Sequence, residues 1–286
     1  MDGKARVLAT SALPVLAFIV LLYTALATPA RQPTPNEAVV FYASGKTRQA
    51  CDVYRPQSKQ QAPLVVIVHG GAGISGDKAD WWPANLADRL AQEGFLALSI
   101  NYRLAPRHRW PAAVNDVRAA IDSFRARSGE LRCDESRVFV IGMSAGALFA
   151  EMAAAREPHS IAGVISISGV HDLTCVRRPW VDVLLGDADR RAASPVRAVR
   201  AEFPPTLLIH GEQDCLVPVE QSLAMRHALT SQGHEARLVR MPGANHFLPP
   251  AKYFSQCYPY IVRWLREHSG CTPTNRPLTV AWLHPE

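Results

Sequence analysis

The feature that most constrains the fold is a regular alternation of short apolar segments with helical patterns, which runs from about Glu37 to His268. The apolar segments have the length and the β-branched content of strands. Amphipathic helical patterns such as PAAVNDVRAAIDSFRAR separate several of them. The eight predicted strands are AVVFYAS, CDVYRP, LVVIVHG, ALSINYR, VFVIGMS, GVISISG, TLLIHG and ARLVRMPG. This order predicts a doubly wound α/β domain whose sheet is mostly parallel, with a hairpin between the first two strands.

One of these strands, in the stretch VFVIGMSAGALFA, passes directly into a helix of small residues, and Ser144 lies at the junction. A strand-to-helix turn this sharp projects its side chain outward, and Gly142 and Gly146 lack the Cβ atoms that would clash there. The unpaired N–H groups at the start of the helix favour negative charge beside the hydroxyl. The same G-x-S-x-G pattern also occurs as an ordinary turn, so other residues must decide between the two interpretations.

Other candidate residues follow other strands, where ligands bind in open α/β sheets. LVVIV leads into the glycine-rich loop of residues 69–73, whose N–H groups can approach a ligand closely. Asp214 follows TLLIHG, and His246 follows ARLVRMPG. Each alone is commonly a turn former or a surface group, but with Ser144 they supply a nucleophile, a base and a carboxylate. The chain order Ser, Asp, His is the order of the α/β-hydrolase elbow.

These stretches carry a family resemblance. HGGAGISGDK, INYRLAP, FVIGMSAG, FPPTLLIHGEQDCLVP and PGANHF resemble, in this order, the motifs of α/β-hydrolase fold carboxylesterases of the hormone-sensitive-lipase-like and feruloyl-esterase-like (BD-FAE) group. The resemblance covers roughly residues 38–268. It implies that Ser144 is the nucleophile, His246 the general base and Asp214 the residue that orients the base. It also implies a serine esterase with an acyl-enzyme intermediate, no cofactor and no metal.

The resemblance further implies an oxyanion hole made of the backbone N–H groups of Gly71, Ala72 and Ala145. The family usually has a glycine where this chain has Ala72, and the difference matters only if that residue requires a positive φ. The resemblance implies a structural role, the bracing of nearby loops, for Tyr102, Arg103 and Asp116. Neither a phosphate-binding loop nor a metal-ligand spacing such as H-E-x-x-H occurs in the chain.

The segment between the sixth and seventh strands, HDLTCVRRPWVDVLLGDADRRAASPVRAVRAE, is the natural place for a lid, but it is too short and too polar for a large one. An open pocket of this kind favours esters of short acyl chains. Two alternatives remain: an arylformamidase-type amide hydrolase, which the same triad would serve, and a catalytically silent binding protein of the same fold. The partner expected in the leading interpretation is a small-molecule ester.

The N-terminus predicts export. Lys4 and Arg6 precede the apolar run of residues 7–27, which ends in Ala25-Leu26-Ala27 before a Pro-rich linker. Residues 1–30 are therefore a signal peptide or an uncleaved membrane anchor, with the hydrolase domain in residues 31–286. The protein would be periplasmic or secreted. The tail of residues 271–286 and the oligomeric state receive no prediction.

The charge and the cysteine content of the chain bear on its partners and on its disulfides. The net charge is +6 at pH 7, but the basic residues are scattered among acids, so we expect a solvated surface and no nucleic-acid partner. The chain has 6 cysteines, and export is compatible with disulfides. Cys175 and Cys215 each follow a strand of a neighbouring pair, which predicts a disulfide between them; two reduced buried cysteines are the alternative.

Overall fold

The architecture is one eight-stranded sheet with helices on both faces. The computed structural model describes residues 32–43, 48–58, 60–246 and 251–270. The strands are β1 (Glu37–Phe41), β2 (Ala50–Tyr54), β3 (Ala62–Val68), β4 (Leu96–Ile100), β5 (Cys133–Met143), β6 (Gly163–Ile167), β7 (Thr206–Gly211) and β8 (Ala236–Met241). The α-helices of the described residues are α1 (Trp81–Gln92), α2 (Ala112–Arg125), α3 (Ser128–Leu131), α4 (Ala145–Arg156), α5 (Pro179–Leu185), α6 (Pro195–Ala198), α7 (Glu220–Thr230) and α8 (Ala251–Ser269). The predicted fold class is confirmed.

The strand order is β1-β2-β4-β3-β5-β6-β7-β8. From β4 to β8 every neighbouring pair is parallel, so the carboxyl ends of these strands lie along one edge of the sheet. The predicted hairpin joins β1 and β2. β2 is antiparallel to β4 as well as to β1, so the antiparallel part of the mostly parallel sheet is the pair β1 and β2 at one edge.

The two faces of the sheet carry separate hydrophobic cores, because successive side chains of a strand point to opposite faces. In β3, Leu64, Val66 and Val68 pack with apolar residues of α2 and α4. Val65 and Ile67 of the same strand pack with residues of α1 and α8. Because β3 is buried on both faces, it reads in the sequence as a continuous apolar run.

The segment predicted to be a short lid, between β6 and β7, contains α5 and α6. Val181, Leu184 and Leu185 of α5 are buried in the core on the face of α2 and α4. Trp110 donates its backbone N–H to the carbonyl of Leu184 at 2.9 Å. The apolar residues of this segment therefore belong to the main core and do not form a separate cap.

The predicted disulfide between Cys175 and Cys215 is absent from the structure. Both residues have free thiols, as the alternative of two reduced cysteines expects, but both are exposed, whereas that alternative expects them to be buried. Their loops are nonetheless neighbours, because the guanidinium of Arg178 donates to the carbonyl of Cys215 at 3.3 Å. Cys51, Cys133 and Cys257 are buried thiols, and Cys271 lies outside the described residues.

The predicted N-terminal export segment and the C-terminal tail of residues 271–286 also lie outside the described residues. Within the described part of the chain, no helix combines the length and the apolar character that crossing a membrane requires. Export and the domain boundary near residue 31 stay predictions.

Candidate active site

Ser144 lies at the turn between β5 and α4 with φ 54° and ψ −120°. The two glycines beside it are required by close backbone approach. A Cβ atom on Gly142 would lie 2.4 Å from the carbonyl oxygen of Gly146, and a Cβ atom on Gly146 would lie 2.2 Å from that of Val68. The glycines thus let α4 start directly against β3 and β5, which holds the Ser144 side chain beyond the ends of both strands.

The structure brings Ser144, Asp214 and His246 together from the ends of three strands. His246 Nε2 lies 3.0 Å from Ser144 Oγ, and His246 Nδ1 lies 2.7 Å from Asp214 Oδ2. A carboxylate only accepts hydrogen bonds, so Nδ1 carries the proton in the neutral ring and Nε2 can accept the Ser144 hydroxyl proton. The three residues are between 7% and 9% exposed, which leaves little water to compete for these bonds.

Asp214 is held by contacts to both carboxylate oxygens. Oδ1 accepts the backbone N–H groups of Leu216 at 2.9 Å and Val217 at 2.8 Å. Oδ2 faces His246 and, at 3.3 Å, His210 Nε2. Burial raises the pKa of this carboxyl, but the bonds from His210, His246 and Val217 outweigh burial and hold the pKa well below its usual range. Asp214 is therefore an anion with a fixed orientation.

The glycine-rich loop after β3 folds into a tight turn in which Ile74 and Ser75 donate their N–H groups to the carbonyl of Gly71. Gly71, Ala72 and Gly73 all have positive φ, at 104°, 58° and 71°. Ala72 therefore has a positive φ, which is the condition under which alanine in place of the family's glycine is expected to matter. Within the described residues, no hydrogen bond is donated by the N–H groups of Gly71, Ala72 or Ala145, the three predicted oxyanion donors.

The loop is braced from behind by Tyr102, whose hydroxyl donates to the carbonyls of His69 at 2.9 Å and Gly70 at 3.2 Å. The rings of His69 and Tyr102 stack with centroids 4.3 Å apart. Arg103 binds the buried carboxylate of Asp116 through its side chain and its backbone N–H. These contacts agree with the structural role expected of Tyr102, Arg103 and Asp116.

Sequence reasoning missed His210, which is the last residue but one of β7 and contacts Asp214. The sequence patterns predict it only as part of the strand TLLIHG. The signal that could have found it is a polar, titratable side chain within a strand that is otherwise buried and apolar.

Among the described residues, no cluster of three or more His, Cys, Asp or Glu side chains could hold a metal ion. The groups gathered around Ser144 can instead pass a proton and stabilise an oxyanion.

An elbow serine, a histidine and a carboxylate at the carboxyl edge of a mostly parallel sheet define the α/β-hydrolase class. Comparison with known proteins narrows this class. The family model described as BD-FAE matches residues 51–229, and the chain belongs to this family. The matched range includes Ser144 and Asp214 and ends before His246.

Two curated relatives are esterases of Mycobacterium tuberculosis (strain ATCC 25618 / H37Rv). Esterase LipC is 34% identical, with 69% of this chain and 56% of LipC covered. Esterase LipQ is 30% identical, with 76% of this chain and 58% of LipQ covered. The chain thus spans a little over half the length of these relatives.

A similar solved structure is a truncated form of a carbohydrate esterase from gut microbiota. It superimposes with a TM-score of 0.76 at 23% identity and covers 84% of this chain and 100% of its own. At this identity the likeness shows the fold.

Proposed function

We propose that this protein is a serine carboxylesterase in which Ser144, His246 and Asp214 form the catalytic triad. The observation that carries the proposal is the continuous hydrogen-bonded line from Asp214 Oδ2 through both ring nitrogens of His246 to Ser144 Oγ. Membership of the BD-FAE family supports it, as do the names of the relatives LipC and LipQ, both esterases.

The chemistry follows from the residue types. Ser144 attacks the ester carbonyl while His246 Nε2 takes the hydroxyl proton, and the imidazolium then returns that proton to the leaving alcohol. Water, activated by the same ring, hydrolyses the acyl-enzyme. Asp214 keeps His246 in the tautomer with a proton on Nδ1 and stabilises the imidazolium that forms in each half-reaction.

The oxyanion of each tetrahedral intermediate is assigned to the N–H groups of Gly71, Ala72 and Ala145. Support comes from their lack of an acceptor within the described residues and from the position of Ala145 as the first residue of α4. Each N–H donor of this kind stabilises the transition state by on the order of 3 kcal/mol, because it binds charge that appears only there.

The proposed substrates are esters of acyl chains of about two to six carbons. The support is the segment between β6 and β7, whose apolar side chains Val181, Leu184 and Leu185 are buried in the core and so cannot cover a long acyl chain.

A covalent labelling experiment tests the triad. A fluorophosphonate probe is expected to modify Ser144 in the unmutated protein and in the control Ser231→Ala, which changes an exposed serine after α7. Ser144→Ala should stay folded, lose labelling and lose several orders of magnitude in kcat. Asp214→Asn should lower kcat less than Ser144→Ala does, but the loss should still be severe, because the substitution permits the wrong imidazole tautomer. Hydrolysis by Ser144→Ala at the unmutated rate rejects the triad.

A substrate panel tests the reaction class. The kcat/KM for p-nitrophenyl esters is expected to be highest for short acyl chains and to fall for long ones. N-formyl aryl amides in the same panel test the amide alternative, which would show a higher kcat/KM than any ester. A protein that neither binds the fluorophosphonate covalently nor turns over any panel member is a silent binding protein.

A further inference from the structure

A row of four polar side chains leads from Asp214 into the interior of the protein, away from Ser144. Its members come from four different elements: β7, α7, the loop after β6, and α4. Each of the four side chains is 0% exposed. They are His210, Ser222, His171 and Glu151.

The contacts along this row are unbroken. His210 Nδ1 lies 2.7 Å from Ser222 Oγ, and Ser222 Oγ lies 3.2 Å from His171 Nε2. His171 Nδ1 lies 2.8 Å from Glu151 Oε2. At the other end, His210 Nε2 lies 2.8 Å from the carbonyl of Val217 and 3.3 Å from Asp214 Oδ2. A buried hydrogen-bonded line therefore runs from Glu151 to the carbonyl of Val217, and its last ring nitrogen, His210 Nε2, also contacts the carboxylate that orients His246.

The number of protons that these hydrogen bonds require determines the total charge of the four side chains. Four contacts lead from the Val217 carbonyl to Glu151, and each needs one proton between its two atoms. Because a carbonyl only accepts, His210 Nε2 carries the proton of the first contact. Two neutral imidazoles and one hydroxyl supply one proton fewer than the contacts need. The missing proton sits on Glu151 as a carboxylic acid, or on an imidazole beside the ionised Glu151. Either way the set is neutral overall, as its complete burial requires.

Glu151 Oε1 distinguishes the two arrangements. This oxygen is buried and has no hydrogen-bond partner among the described residues. An ionised carboxylate would leave negative charge on that unsolvated oxygen, whereas the carbonyl oxygen of a neutral acid costs much less to bury unpaired. With Glu151 neutral, every donor points the same way: Glu151 to His171, His171 to Ser222, Ser222 to His210, and His210 to the Val217 carbonyl. Asp214 contacts the nitrogen of that last N–H group.

We propose that Glu151, His171, Ser222 and His210 form a positioning relay, a neutral series of hydrogen bonds that runs in one direction and places the His210 N–H in contact with Asp214. Its action on catalysis rests on the proposed function. The relay residues do not touch substrate. They act by holding the His210 N–H against Asp214, which fixes the carboxylate and draws part of its negative charge away from His246.

Other titratable and charged groups of the described residues lie beside the relay. Asp214 and His246 face its outer end. Beside His171 lies Asp172, whose carboxylate is 3.6 Å from the guanidinium of Arg197. The side-chain oxygen of Gln221 accepts the backbone N–H groups of His171 and Asp172. The relay is therefore coupled mainly to the triad.

A pair of matched serine variants tests the action on catalysis. Ser222→Ala cuts the relay in the middle, whereas Ser166→Ala removes an equally buried hydroxyl that has no partner among the described residues. Ser222→Ala is expected to lower kcat roughly tenfold with little change in KM, because His210 then holds the Asp214 carboxylate less firmly and this loss of orientation outweighs the charge that Asp214 regains. The acidic limb of its kcat/KM profile should move to higher pH, because Asp214 regains charge and stabilises the His246 imidazolium more. Identical kcat values and pH profiles for the two variants overturn the relay.

Two spectroscopic measurements test the direction of the relay without using activity. Nitrogen-15 NMR of labelled histidine side chains in the unmutated protein should show His171 and His210 as neutral rings protonated at Nε2. An infrared carbonyl band of a protonated carboxyl should be present and should disappear in Glu151→Gln. An imidazolium signal for His171, or no such band, overturns the assigned direction.

The two proposals can fail separately. If the unmutated protein shows no esterase activity and no fluorophosphonate labelling, the proposed function fails while the NMR and infrared results still decide the relay. If labelling and activity are present, the serine pair decides the relay's effect. Glu151→Gln, whose amide can still donate to His171, should lose less activity than Ser222→Ala; a larger loss overturns the neutral assignment of Glu151.

Discussion

Two residues of the candidate site, Ala72 and Ser144, have a positive φ without being glycine, at 58° and 54°. An L-residue in this region costs about 1–2 kcal/mol, because its Cβ atom approaches the carbonyl oxygen. At Ser144 the elbow requires a side chain and the cost is unavoidable. At Ala72 only the backbone N–H is needed, so the strain there serves no proposed step.

We therefore predict that Ala72→Gly stabilises the protein by up to about 1 kcal/mol, which is the relieved strain minus the greater entropy of glycine in the unfolded chain. Urea unfolding measures the change. The matched control is Ala126→Gly, at a residue with φ −59°, where glycine relieves nothing and should destabilise. Equal destabilisation by both substitutions contradicts the strain at Ala72. The kcat/KM of Ala72→Gly should stay close to that of the unmutated protein, since the N–H is retained.

Residues whose place depends on a strand end could be predicted from the sequence, and residues whose place depends on tertiary contact could not. Ser144, Asp214 and His246 each follow a recognisable strand, so a parallel sheet alone brings them to one edge. Glu151 and His171 are 20 positions apart, and their pairing depends on how α4 packs against the loop after β6. A glutamate in the alanine-rich helix AGALFAEMAAAR was the visible signal.

At the scale of elements, the site depends on how closely α4 packs against the ends of β3 and β5. The Cβ atom that an alanine would add at residue 146 lies 2.2 Å from the carbonyl oxygen of Val68 and 2.5 Å from that of His69. Both contacts are with backbone, so no side-chain rotation can relieve them. The first turn of α4 would have to move away from β3 and would carry Ser144 and Ala145 with it.

Gly146→Ala is accordingly expected to destabilise the protein by roughly 3 kcal/mol and to slow fluorophosphonate labelling of whatever protein still folds. Gly129→Ala, in α3, is the matched control, since an added Cβ atom there meets nothing within 4 Å. That control should be neutral or slightly stabilising. Chemical unfolding and labelling rates that are the same for both variants contradict the close-packing argument.

Some strand boundaries followed from the sequence and others did not. β7 coincides with the predicted segment TLLIHG, and β6 begins at the predicted Gly163. β5 begins earlier than predicted, at Cys133, because polar residues of CDESR continue the strand. The ladder with β3 there pairs Ala62 with Cys133 and shifts register between Pro63 and Leu64, a backbone irregularity without an apolar pattern.

At the scale of the whole molecule, acid should destabilise the fold through groups that are buried uncharged. The chain already carries a net charge of +6 at pH 7 and has 10 histidines, so acidification adds to its self-repulsion. His69 contributes a separate and local effect. Burial lowers the pKa of its ring to about 4. Nδ1 lies 2.7 Å from the carbonyl of Gly70, which only accepts, so the neutral ring carries its proton there.

The sign of this contribution follows from proton binding. Between about pH 6.5 and pH 4 the unfolded chain protonates this histidine and the folded protein does not, so the stability due to His69 is complete above this window and is lost as the pH falls through it. The loss approaches about 3 kcal/mol. Asp214, whose pKa is lowered from an already acidic value, loses its contribution only at more acidic pH, so the two windows separate.

We predict that His69→Phe removes this dependence, because phenylalanine keeps a ring against Tyr102 and cannot be protonated. The variant also loses the bond to the Gly70 carbonyl, but Tyr102 still donates to that oxygen, and the loss does not vary with pH above 4. Urea unfolding of both proteins at pH 7, 5.5 and 4 gives the test. The stability difference between them should shrink or reverse on acidification, since only the unmutated protein has a buried ring to protonate. Two stability curves that stay parallel from pH 7 to pH 4 would show that His69 is not held neutral by its burial behind the glycine loop.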